Sequence, residues 1–135
     1  MALAFYDADQ VAFGANSMRS FHDGNLGGAH EQKIYVRNGD ALKYYSSVAI
    51  KYTGSVATSN GWSVKFIKGE RQPTEAEWDQ VASGADLSLD DIGNSGAADT
   101  STYFPVWVRF YCPGGTSAAI NVAQSLTVEA YERVV

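Results

Sequence analysis

Two histidines, His22 and His30, stand in the stretch "SFHDGNLGGAHEQ" with Asp23 and Glu31 beside them. A metal centre would need these ligands to converge with further donors, and their spacing matches no zinc pattern. The glycines of "GNLGG" suggest a phosphate cradle. Such a cradle follows a strand, opens a helix and carries a lysine, whereas here the strand-like "KIYVR" comes next. Backbone pliability accounts for these glycines. Cys112 is the one cysteine and sits directly before Pro113. A thiol nucleophile needs a base within reach; both histidines lie in the N-terminal segment, and nothing in the pattern favours pairing either with Cys112. Asp7, Asp9, Asp90, Asp91 and Asp99 supply carboxylates. Their nearest approach to a calcium loop, "DDIGNSGAAD", lacks the alternating ligands and closing glutamate. A hydrolase working through Asp90 and Asp91 across a cleft is the least supported reading, because acids in Gly-rich loops usually form turns. The residues therefore predict a non-enzymatic chain with no cofactor and no metal.

More telling is the strand-like "YFPVWVRFYC". Alternation puts Phe104, Val106, Val108 and Phe110 on one face and Tyr103, Trp107, Arg109 and Tyr111 on the other. If the first face is the core, the second is an exposed aromatic strip. Trp, Tyr and Arg dominate binding hot spots, so Tyr103, Trp107, Arg109 and Tyr111 are the candidate partner-binding residues. Tyr44 and Tyr45 could extend the same surface. In the N-terminal segment, Phe21 and Leu26 are candidate anchors for a partner.

Several elements must position that strip. "ALAFY" reads as an edge strand, and residues 7–30 read as a flexible, Gly-rich arm. "KIYVR" follows, with Ile34 and Val36 facing one way. "NGD" is a turn whose Asn and Gly accept positive φ. "YYSSVAIKYT" places Val48, Ile50 and Tyr52 on one face, and "WSVKFIK" places Trp62, Val64 and Phe66 on one face. Asn60-Gly61 marks the turn between them. In "PTEAEWDQVASG", Thr74 and Glu77 form a capping-box pattern, and the spacing of Trp78, Val81 and Ala82 predicts a short helix over about 74–82. Trp78 is expected to plug one end of the core. Leu87 and Leu89, and later Leu126, Val128 and Ala130, are expected to point inward. Six or seven strands with regular turn signals and one helix predict an all-β antiparallel β-sandwich. The expected organisation is an N-terminal strand and arm over 1–30 and a sandwich domain over 31–135.

Composition narrows the class. The chain has 135 residues, 45% of them hydrophobic and 19% charged, enough apolar material for one domain with a real core. The net charge is −5 and the basic residues are scattered, which argues against nucleic acid and against an acidic membrane surface. A single cysteine cannot form an internal disulfide, which suits assembly in a reducing cytoplasm. The opening "MALAFYDADQ" lacks the basic start and apolar run of a signal peptide, and no stretch reaches the ~18 apolar residues of a membrane span.

Over residues 31–131 the pattern resembles a known family. "KIYVRNGDALKYYSSVAIKYTG" looks like the opening strand pair of small immunoglobulin-like sandwiches, and "DTSTYFPVWVRFYCPGGTSAAINVAQSLTVEA" resembles their closing pair. Chains of this size and rhythm resemble accessory structural proteins of tailed-bacteriophage virions. "AFYDADQV" and the "FHDGNLGG" arm are similar to the start of such proteins. The resemblance implies an immunoglobulin-like fold and a non-enzymatic role in capsid decoration, neck, tail or baseplate. It implies location in the virion after assembly in the host cytoplasm. The implied partners are other virion proteins and copies of the same chain. The "PTEAEWDQV" helix departs from a plain sandwich and leaves strand order open. The alternative is a carbohydrate-binding sandwich used for surface attachment, with Tyr103, Trp107 and Tyr111 stacking on sugar rings.

Overall fold

The computed structural model describes residues 1–13, 27–53, 61–115 and 125–135. It is an all-β sandwich of two antiparallel sheets. The strands are β1 (Leu3–Tyr6), β2 (Gly28–Asn38), β3 (Lys43–Thr53), β4 (Ser63–Lys68), β5 (Leu87–Ser88), β6 (Phe104–Cys112) and β7 (Ser125–Val134), with the helix α1 (Glu75–Asp79) between β4 and β5. One sheet has the order β1-β2-β6-β4 and the other β5-β3-β7. A constant-type immunoglobulin domain groups its strands ABED and CFG. Here the fifth and sixth strands have exchanged sheets and β3 occupies the centre of the smaller one.

The core follows the alternation in the sequence. Ile34, Val36, Val64, Phe66, Val106, Val108 and Phe110 from the larger sheet meet Tyr45, Val48 and Ile50 from the smaller, with Leu3, Leu89 and Ile92 closing the periphery. Ile34 faces Val106 and Phe66 faces Val108 across their ladders, so β6 carries the middle of the apolar layer. Leu87, Leu126, Val128 and Ala130 pack against this cluster from the smaller sheet. The Cys112 thiol is buried at the end of β6 and donates to the Pro113 carbonyl at 3.5 Å.

Two features break the simple period. Between Ser46 and Ala49, β3 spends one more residue than β7, a β-bulge. Ser47 takes φ 50° there. The extra residue re-phases the strand, so Tyr45 and Val48 both point inward although an odd number of positions separates them. Tyr45 is fully buried. Its hydroxyl accepts from the Ala2 amide at 3.0 Å and donates to Glu132 at 3.0 Å. Tyr45 therefore does not extend the aromatic strip, and Tyr44 beside it belongs to the smaller sheet.

The turn after β2 is also built differently from expectation. Neither Asn38 nor Gly39 adopts positive φ. Instead Asn38, fully buried, donates through Nδ2 to the carbonyls of Asp40 and Lys43 and accepts from the Asp40 amide. A side-chain amide satisfied on both ends stands in for the left-handed backbone.

"ALAFY" is an edge strand, as anticipated, and is hydrogen-bonded into the larger sheet through Leu3–Asn38 to Tyr6–Tyr35. Most of the arm, with Phe21, His22 and Leu26, lies outside the described residues, as does Asn60.

Candidate binding surfaces

The helix decides what happens to the aromatic strip. Thr74 caps α1: its hydroxyl accepts from the Glu77 amide, and the Glu77 carboxylate accepts from the Thr74 amide, a complete capping box. The helix is five residues long, shorter than the 74–82 expected, because the chain after Asp79 tightens into turns that end at Gly84 with φ 75°. Trp78 is 1% exposed. Beyond the helix's own backbone bonds, it meets residues of the larger sheet's outer face. The indole N–H donates to Glu31 at 2.7 Å, the Lys65 ammonium donates to its carbonyl at 3.1 Å, and the Arg109 guanidinium lies 5.9 Å from the ring centre. Glu31 and Lys65 flank Arg109 directly across the ladders. Trp78 therefore does not plug the sandwich core. It fills a second, smaller packing layer on the opposite side of the sheet.

The strip is divided by this arrangement. Arg109 makes a bidentate pair with Glu75 at 2.8 and 2.9 Å, which draws the Glu75 carboxyl below its ordinary pKa. The Trp107 indole donates to the Glu70 carbonyl at 3.3 Å, while the Glu70 carboxylate pairs with Lys33 and raises the lysine's pKa. At the other end Tyr103 packs edge-on against Tyr6 and Tyr35, ring centres 5.4 and 5.7 Å apart, with Arg37 5.1 Å over its ring. Arg37 is fixed in turn by the Thr100 carbonyl at 2.7 Å. Tyr103, Trp107, Arg109 and Tyr111 do share the outer face, as alternation requires. The expectation that the whole face is open is corrected: segment 70–79 covers its middle. Tyr103, Trp107 and Arg109 are only partly accessible, and Tyr111, at 37%, is the exposed ring. Beside it lies an open depression of about 250 Å³ lined by Ser63, Lys65, Glu75, Asp79, Arg109 and Tyr111.

Sequence reasoning placed β1 at an edge but did not show which of the four sheet edges stays unpaired among the described residues. Three are blunted. The chain after β1 doubles back, with Phe13 donating to the Phe5 carbonyl and a bridge from Tyr6 to Ala12. The free side of β4 is met by residues 83–84: the Ser83 hydroxyl accepts from the Val64 amide, and the Gly84 amide donates to the Val64 carbonyl. β5 is two residues long. β7 is ten residues long, and among the described residues no strand pairs with its outer edge. Tyr131 on it is 66% exposed, and Val134, Val135 and Leu42 form an apolar corner where the Val135 amide reaches the Leu42 carbonyl. Which residues share a face was legible in the alternation, but which strands pair and which one ends a sheet depend on topology.

Among the described residues no group of three or more His, Cys, Asp and Glu side chains is placed to hold a metal ion. No helix among them is long and apolar enough to cross a membrane. No protein-family model matches the chain, and neither a curated protein nor a solved structure does so.

Proposed function

We propose that this chain is a non-enzymatic structural component of a tailed-phage virion, in capsid decoration or as a neck, tail or baseplate accessory. It acts by protein–protein contacts with neighbouring virion proteins and copies of itself. The observation that carries the reading is the long edge of β7, unpaired among the described residues, on a sandwich whose other edges are blunted. An unpaired edge presents a row of backbone donors and acceptors and templates the addition of another strand. The adjoining apolar corner of Leu42, Val134 and Val135 adds surface that gains from being covered. The resemblance of residues 31–131 to small virion sandwiches directs the contact reading to a particle. The glycan reading receives less support, because a stacking platform needs open ring faces and Tyr103 and Trp107 are engaged within the chain.

The test is a mass-spectrometric inventory of purified particles, with head and tail fractions separated. The chain is expected in one fraction at fixed stoichiometry. Its absence from particles, together with a purified chain that binds no virion protein, would overturn the proposal.

A further inference from the structure

The geometry points to a specific partner for the β7 edge: β7 of a second copy, paired antiparallel about a two-fold axis at Tyr131. This deepens the protein-contact reading and rests on it. The argument is one of register. Tyr131, Glu129 and Arg133 share the outer face of the smaller sheet, because their ladder partners alternate with the inward Tyr45 and Ile50. When Tyr131 faces its own copy, Glu129 faces Arg133 of the second chain and Arg133 faces its Glu129. A central tyrosine pair is then flanked by two opposite-charge pairs, and Val134 comes to lie opposite Val128.

Neighbouring registers lack this complementarity. Centring on Ala130 sets Glu129 against Tyr131 and Arg133 against Thr127. Centring on Glu132 sets two like carboxylates together, which is unfavourable. Odd offsets would put outward residues against inward ones. The side chains are available for the pairing. Tyr131 is 66% exposed, and Arg133 is exposed and makes no ion pair among the described residues. Glu129, 62% exposed, already leans on Lys51 at 3.0 Å from the neighbouring strand, and a carboxylate with one such contact retains acceptor capacity for a second cation. Glu132 is held inward by Tyr45 and Lys43, so it does not obstruct the edge. Charges on an edge strand ordinarily deter association. These deter a general partner and admit this one, which is how specificity is built from repulsive as well as attractive elements.

Charge reversal tests the register with the full-length chain. Sedimentation equilibrium is expected to show a dimer for the wild type. E129R and R133E, each alone, place like charges at both flanking positions and should raise the dimer dissociation constant roughly tenfold or more. An equimolar mixture of the two variants restores both opposite-charge pairs, so the dimer should return as a heterodimer. Independently, Y131C should form a disulfide-linked dimer with oxidised glutathione, since directly opposed residues fall within disulfide reach. Buried Cys112 gives a low background. A monomeric wild type, a mixture that stays monomeric, or a Y131C chain that does not cross-link would overturn the inference. If the particle inventory still contains the chain, the virion reading stands and only the self-pairing falls.

Discussion

Replacing Trp78 measures the packing layer that covers the aromatic strip. A buried Trp withdraws about 150–250 Å² from water, which at about 25 cal/mol/Å² sets an upper bound near 4–6 kcal/mol. Only one short helix covers this layer, and truncation lets water and the helix adjust. We therefore expect W78A to lose about 3 kcal/mol, the lower end for large core truncations. W78F retains most of the ring and deletes the indole donor to Glu31. Glu31 is half-buried and regains water when its partner goes, so the loss should be about 1 kcal/mol. Urea unfolding followed by far-ultraviolet circular dichroism gives both values. A double-mutant cycle with E31A then isolates the pair, with an expected coupling of about 1 kcal/mol. Zero coupling between positions 31 and 78 would refute the outer-face packing, because a Trp78 inside the sandwich could not sense Glu31. A loss under about 1 kcal/mol for W78A would refute the packing layer itself.

Two further outcomes follow from local geometry. At Ser47 the left-handed backbone costs about 1–2 kcal/mol for a residue with a Cβ, partly offset by the extra unfolded-state freedom of glycine, so S47G should stabilise the fold by about 0.5 kcal/mol in thermal unfolding and S47V should destabilise it by about 2 kcal/mol; a loss in S47G would count against the bulge. The Glu77 carboxyl is lowered from 4.5 to about 2, first by Arg71 and then by the Thr74 amide. A pKa depressed in the folded state contributes stability that is complete above about 4.5 and is lost as pH falls toward 2. The capping box should therefore release in that window, seen as exchange broadening of the Thr74 amide by NMR, and E77Q should remove the transition.

The alternation of β2, β4 and β6 was readable because each strand has one face in a core, and burial imposes a period of two on residue type. The inward faces of Ile34–Val36, Val64–Phe66 and Phe104–Phe110 match expectation for that reason. The capping box at Thr74 and Glu77 was readable because its donors and acceptors lie within one turn of chain. The bulge at Ser47 was not. Nothing local in "YYSSVAI" demands positive φ at a serine, and the shift appears only when β3 must match β7 while placing Tyr45 beside Ala2 and Glu132. The NGD turn misled because Asn38 has two ways to make a turn, and its burial, opposite Leu3 across the β1–β2 ladder, goes with the side-chain route.

The candidate surfaces divide along the same line. The sequence determined that Tyr103, Trp107, Arg109 and Tyr111 would share a face, since neighbours on a strand alternate whatever surrounds them. Tertiary structure alone decided that segment 70–79 would lie across that face and that, among the described residues, β7 would keep an unpaired outer edge. Coverage and edge position depend on contacts between residues far apart in the chain. Glu75 reaches Arg109 and Glu31 reaches Trp78 only after the sheet has formed, and no local pattern records those distances.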